Sequence, residues 1–255
     1  MKLIITDLDN TLLRSDKNLS EYTAQVFEKC RQKGYLIAFA TARSQSAAAR
    51  FVNTIKPDVM ISNGGAIVEV KGEVIYRNLM SGEDVSTILK MCRKFTNGQG
   101  LITLDCDRGY YCNFVPKDPD RYAGYVHLDF ADFCEPSYKI TAELEREEWG
   151  EEIAKACSNC TVISFTGEKW RRFAAKGSDK ATALQILADY IGVDLRDVIA
   201  FGDDRNDLGM MELAGRAVAV SNAIDEVKAV ADHIAGSNDQ DGVASYIESV
   251  LLTEV

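Results

Sequence analysis

The chain has 255 residues, 46% of them hydrophobic, with four prolines and a formal net charge of -10, a composition that suits one large or two smaller globular domains and excludes a disordered chain. The acidic balance works against nucleic acid and anionic membranes as partners. No apolar run approaches the roughly 18 residues of a membrane span and no signal-peptide pattern leads the chain, so a cytoplasmic address is expected.

The first element is an apolar run, Leu3 to Ile5, that reads as a buried strand and delivers Asp7-Leu8-Asp9-Asn10-Thr11 at its end. In an extended backbone the two-residue period sends Asp7 and Asp9 to the same side. Paired carboxylates there would suit a hard divalent cation, and one of them could attack phosphorus beside it; an acidic turn is the plain alternative.

Ser20 then opens a helical pattern that Gly34 stops, and residues 35 to 40 read as a second buried strand ending in Thr41-Ala42-Arg43-Ser44. A hydroxyl followed by a helix start can receive an anion, or Thr41 can simply cap the helix. Pro57 breaks that helix, and Val59 to Ile61 gives a third strand ending in Ser62-Asn63-Gly64-Gly65, where glycines let the backbone turn close to a site. Lys71-Gly72 joins residues 66 to 70 and 73 to 76 as a hairpin.

Near Met80 the pattern changes. Residues 82 to 174 read as a separate α+β unit: a helix over 84 to 95, strand-like runs at 101 to 105, 110 to 115 and near 137 to 141, a charged helix, then strands near 161 to 165 and 170 to 174. The acidic run from Glu143 to Glu152 reads as a solvated helix face. The seven cysteines read as reduced thiols, and Cys157-Ser158-Asn159-Cys160, a single CxxC without a second pair or nearby histidine, reads as packing rather than as a zinc site.

The α/β pattern resumes with Ser178 as the expected cap of a helix over 181 to 191, placing Lys180 in its first turn. Residues 197 to 201 form a strand ending in Gly202-Asp203-Asp204-Arg205-Asn206-Asp207, and 217 to 220 another ending in Ser221-Asn222. In a doubly wound sheet all these strand ends share one edge, so carboxylates, a hydroxyl, amides and glycine turns would gather in one crevice. Asp7, Asp9 and Asp203 supply hard oxygen ligands, while Lys180, Thr41 and Asn206 could neutralise phosphoryl oxygens.

With these segments in hand, the sequence resembles the haloacid dehalogenase (HAD) superfamily of phosphatases, in its Cof-type branch with a type IIB cap. DxDxT is residues 7 to 11, the second motif Thr41, the third Lys180 and the fourth residues 202 to 207; Ser62 to Gly65, Asn222-Ala223 and Asp241-Gly242-Val243 follow the family pattern too. The resemblance implies a doubly wound, mostly parallel Rossmann-like core over 1–81 and 175–255, with an α+β cap over 82–174. It implies Asp7 as nucleophile, Asp9 as general acid and base, and Mg2+ on Asp7, the Asp9 carbonyl and Asp203, with Asp207 behind them. Phosphate would meet the Leu8 backbone, Thr41, the Ala42 N–H, Lys180 and Asn206. Two departures are Ala42, where glycine is frequent, and Asp204, where a small residue is common.

The implied activity is Mg2+-dependent hydrolysis of a small phosphorylated metabolite such as phosphoglycolate, a sugar phosphate or a cofactor phosphate. An α-phosphomutase of the same superfamily shares the motif and cap, and a phospho-accepting receiver module shares the carboxylates, Thr and Lys but is about half as long. Arg108, Tyr110, Arg121, His127, Lys139 and Arg171 are candidate substrate contacts in the cap, where no motif singles out the substrate; nor does any feature set the oligomeric state.

Overall fold

The computed structural model describes residues 2–116, 124–164 and 169–253. They divide into two compact units, one of residues 1–76 and 179–255, the other of residues 77–178.

The first unit begins with β1 (Leu3–Thr6), buried at every position. Helix α1 (Glu21–Gln32) starts at Ser20, whose side chain accepts from the Thr23 N–H, and stops before Gly34 at φ 80°. There follow β2 (Leu36–Ala40), α2 (Gln45–Ile55), β3 (Val59–Ser62), β4 (Ile67–Val70) and β5 (Glu73–Arg77). Lys71 (φ 50°) and Gly72 (φ 86°) make the turn between the last two.

The second unit holds α3 (Gly82–Phe95), β6 (Ile102–Cys106), β7 (Gly109–Cys112), β8 (Val126–His127), β9 (Lys139–Glu143), α4 (Glu147–Lys155), β10 (Thr161–Ser164) and β11 (Trp170–Ala174). Its sheet runs β10-β11-β9-β6-β7-β8, antiparallel except for the β7–β8 pair. Alternate sheet residues Ile102, Leu104, Ile140, Ala142 and Phe173 pack with Val85, Ile88, Leu89 and Cys92 of α3 and Ile153 of α4 into a core of its own. The acidic run does not form one helix face, because Glu143 ends β9 and only Glu147 onward lies on α4.

The first unit is completed by α5 (Lys180–Ile191), β12 (Val198–Gly202), α6 (Leu208–Leu213), β13 (Arg216–Val220), α7 (Asp225–Val230), β14 (His233–Ala235) and α8 (Gly242–Tyr246). Its sheet runs β14-β13-β12-β1-β2-β3-β4-β5, parallel from β14 to β3 and reversed at β4. This is the doubly wound α/β fold expected from the sequence. Strand order reverses at β1, which places the ends of β1, β2 and β12 beside one another at the switch point where such sheets bind ligands. The short strands β8 and β14 carry no alternation long enough to be read from sequence. Among the described residues no helix is long and apolar enough to cross a membrane.

Candidate active site

Strand β1 stops at Thr6; Asp7 follows it, its N–H still donating to the Phe201 carbonyl at 3.1 Å, and Asp9 comes after the turn at Leu8. The two carboxylates meet different cations, with Asn10 at φ 60° in the turn that follows Asp9. Asp7 Oδ1 accepts from Lys180 Nζ at 2.6 Å, whereas Asp9 takes both arms of Arg43.

Lys180 is the first residue of α5, but the cap is Asp179 and not Ser178: Asp179 accepts from the Thr182 N–H at 2.8 Å and the Thr182 hydroxyl at 3.0 Å. A carboxylate is the stronger cap here because it complements the positive helix end as well as accepting the N–H. Gly65 sets the position of this helix start. It sits at φ 106° and a Cβ there would fall 2.2 Å from the Asp179 carbonyl oxygen, so only glycine lets the two backbones approach.

The ammonium of Lys180, 3% exposed, bridges Asp7 Oδ1 and Asp207 Oδ1, each at 2.6 Å. Asp207 Oδ2 in turn accepts from the Asp203 and Asp204 N–H groups at 3.0 and 3.2 Å, which fixes the turn after β12. Asp203 Oδ1 takes the Thr11 hydroxyl at 2.6 Å. Among the described residues no hydrogen-bond donor reaches Asp7 Oδ2 or Asp203 Oδ2. Asp7, Asp203 and Asp207 each place a carboxylate oxygen within 4.8 Å of the others, and they are the only His, Cys, Asp or Glu group among the described residues so arranged. Cys157 and Cys160 are absent from any such group.

Burial pushes the Asp7 carboxyl well up from its ordinary value, against the pull of Lys180 and with a further push from Asp207, Asp203 and Asp9. Burial and the neighbouring Asp207 raise Asp203 to about 7, despite its bond from Thr11. Burial pulls Lys180 down, but Asp207 and Asp7 outweigh it and raise its pKa. Three buried carboxylates thus share one lysine, a negative excess that costs free energy until a further positive charge arrives. The oxygen-only donor set and the two carboxylate oxygens with no donor fit a hard divalent cation such as Mg2+, which prefers carboxylates and water.

Thr41, 1% exposed at the end of β2, does not cap α2; Ser44 does, accepting from the Ala47 N–H at 3.3 Å. The Thr41 hydroxyl accepts instead from the Arg43 N–H at 3.1 Å. Ala42 lies in the same turn, Leu8 is buried in the turn after β1, and Asn206 is half-buried in the turn after β12. The site thus draws on the ends of β1, β2 and β12 and the start of α5.

Two participants were not singled out from the sequence. Thr11 was visible only as part of a motif, and its partner Asp203 lies 192 residues on. Arg43 followed the second motif with no spacing signal to pair it with Asp9. In the second unit, Tyr110, Asp105 and Lys139 sit side by side across β7, β6 and β9, with Lys139 Nζ 3.3 Å from Asp105. Arg108 pairs with Glu135 at 2.7 Å, His127 is exposed and Arg171 is buried; Arg121 lies outside the described residues.

Residues 4–247 match the family of haloacid dehalogenase-like hydrolases. Similar curated proteins include the 5-amino-6-(5-phospho-D-ribitylamino)uracil phosphatases YitU and YwtE of Bacillus subtilis, 27% and 26% identical, with 96% and 98% of each chain covered on both sides. Among solved structures, a sugar phosphatase of HAD subclass IIB superposes with a TM-score of 0.86 at 22% identity over 99% of this chain and all of that one. A haloacid dehalogenase-like hydrolase from Bacteroides thetaiotaomicron does so with a TM-score of 0.83 at 26% identity, over 98% of this chain and 99% of the other.

Proposed function

The chain belongs to the haloacid dehalogenase-like hydrolase family, and on that premise we propose that it is a Mg2+-dependent phosphatase of small phosphate monoesters, working through an aspartyl-phosphate on Asp7. The observation that carries the reading is the buried cluster in which Lys180 bridges Asp7 and Asp207 while Asp203 stands beside them.

In this reading Asp7, Asp203 and the backbone carbonyl of Asp9 would hold Mg2+, with Asp207 fixing the turn and the lysine behind them. The bound ion would offset the repulsion between an anionic carboxylate and an anionic phosphate ester. Lys180, the Thr41 hydroxyl, Asn206 and the N–H groups of Leu8 and Ala42 orient the phosphoryl oxygens. An oxygen of Asp7 attacks phosphorus, and the ester oxygen departs with a proton from Asp9. Asp9, now a carboxylate, takes a proton from a water that attacks the Asp7 phosphoryl group, releasing inorganic phosphate and restoring Asp7. Substrate choice falls to the inserted unit, with Lys139 and Tyr110 beside Asp105 as the first positions to substitute.

The names of the relatives support a panel that includes phosphorylated sugars and 5-amino-6-(5-phospho-D-ribitylamino)uracil, the compound in the names of YitU and YwtE, to which phosphoglycolate is added from the sequence expectation. Inorganic phosphate release is measured with and without Mg2+ for the intact protein and Asp7→Asn. Release that needs Mg2+ and disappears in the variant is expected. Label retained in a bisphosphate sugar with no net release would turn the assignment to a mutase; phosphate release unaffected by Asp7→Asn would overturn it.

A further inference from the structure

The turn between α4 and β10 carries Cys157-Ser158-Asn159-Cys160, which phosphoryl transfer leaves unused. The chain bends at Cys157, Ser158 and Asn159. Asp84 fixes the bend from the first turn of α3: its carboxylate accepts from the Ser158 N–H at 2.8 Å, the Asn159 N–H at 3.2 Å and the Ser158 hydroxyl at 3.0 Å. With both central N–H groups held, the thiols at the two ends of the bend meet, and the Cys160 S–H donates to the Cys157 sulfur. The two sulfurs differ in access. Cys157 is half-buried between the exposed Ala156 and Ser158, its sulfur 3.4 Å from the Ile153 carbonyl oxygen. Cys160 is 4% exposed, its sulfur 3.3 Å from the Thr161 carbonyl oxygen. The bond from Cys160 holds Cys157 below its ordinary pKa, against burial and the Asp84 charge, and the same bond together with burial raises Cys160. Burial pushes Cys30, Cys92, Cys106 and Cys112 up as well. An accessible sulfur favoured as thiolate beside a buried, protonated one is the division of labour that thiol–disulfide exchange requires.

We propose that Cys157 and Cys160 are a dithiol–disulfide redox site, in which Cys157 exchanges with a small disulfide RS–SR such as oxidised glutathione and Cys160 closes the internal bond. The Cys157 thiolate attacks one sulfur of RS–SR, forming a mixed disulfide and expelling RS−, which takes a proton from water. Once Cys157 is capped, the negative charge that kept the proton on Cys160 is gone. Cys160 gives its proton to solvent and attacks the Cys157 sulfur, forming the Cys157–Cys160 disulfide and expelling the second RS−. Two thiols are thereby oxidised to one disulfide while RS–SR is reduced to two RSH. So short a loop takes little freedom from the unfolded chain when it closes, so the bond is exchangeable rather than structural. Every group involved belongs to the second unit, and none has a part in phosphoryl transfer.

To test the site, the folded protein is incubated with oxidised glutathione, quenched with N-ethylmaleimide, digested and weighed peptide by peptide. The segment holding Cys157 and Cys160 is expected to lose both thiol hydrogens and to carry neither glutathione nor maleimide, whereas the exposed Cys134, with no resolving partner, ends as a glutathione or maleimide adduct. Dithiothreitol should return the segment to two thiols. Cys160→Ala should trap glutathione on Cys157, and Cys157→Ala should leave the buried Cys160 without it; Cys160→Ser carries the trap if the alanine variant does not fold. Three results would overturn the site: a mixed disulfide that persists on Cys157 of the intact protein, an unoxidised segment while Cys134 takes up glutathione, or a Cys157–Cys160 bond that forms only in urea.

Discussion

With Nζ 2.6 Å from both Asp7 and Asp207 and its side chain 3% exposed, Lys180 neutralises a largely buried carboxylate cluster. Removing one partner of a buried ionic group leaves the others uncompensated, at a cost of about 3–5 kcal/mol. Lys180→Met is therefore expected to lose stability on that scale in urea unfolding at neutral pH; a loss below about 1 kcal/mol would mean that the carboxylates relax into solvent. The sequence made Asp7, Asp203, Asp207 and Lys180 visible because each lies just past a strand or at a helix start, where position along the chain implies position in space. It did not reveal the Arg43–Asp9 fork or the Thr11–Asp203 bond, since both depend on rotamers chosen only after loops remote in the chain have met.

At the scale of elements, the lysine is placed by the approach of the turn after β3 to the start of α5. A Cβ at Gly65 would meet the Asp179 carbonyl oxygen at 2.2 Å and would also have to adopt φ 106°, so Gly65→Ala should displace the helix start. The expected result is a loss of about 2 kcal/mol from steric strain, with phosphate release falling further than stability alone accounts for; thermal melts paired with kcat/KM would separate the two. The glycine pair was legible as a close approach, but its partner was not, because Asp179 is reached only after the whole inserted unit. In the second unit a comparable tie joins α3 to the turn between α4 and β10. Asp84, 3% exposed, accepts from the Ser158 N–H at 2.8 Å, the Ser158 hydroxyl at 3.0 Å and the Asn159 N–H at 3.2 Å. Burial pushes its carboxyl up, but the bonds from Ser158 and Asn159 outweigh it and hold it below the ordinary value. A carboxyl with a depressed folded-state pKa contributes stability that is complete above its unfolded value near 3.8 and fades as pH falls through the lower folded value. Asp84→Asn should thus cost about 1–2 kcal/mol at pH 7 through the lost charge-assisted bonds and progressively less toward pH 3, as urea midpoints at both pH values would show. A cost that does not change with pH would mean that shape and not charge makes the tie.

Over the whole molecule the chain leaves the α/β unit after β5 and returns at α5, and this order makes the two units unequal in independence. Every strand of the sheet β10-β11-β9-β6-β7-β8 and both helices packed in its core come from residues 77–178, so the second unit closes its own hydrogen bonds and buries its own apolar side chains. The first unit cannot do so from either stretch alone, since β1 pairs on one side with β2 and on the other with β12. Without the later stretch, β1 would carry an apolar, unpaired edge, a template for aggregation. A stretch of about 100 residues with one core is within the range that folds alone. Residues 77–178 expressed by themselves should therefore unfold in a single cooperative transition, with protected amides in β6, β9 and β11, whereas residues 1–76 alone should be insoluble or unstructured. If instead the isolated 77–178 stretch shows secondary structure without amide protection, its core depends on the remainder of the chain, and the insertion is a domain in topology but not in energy.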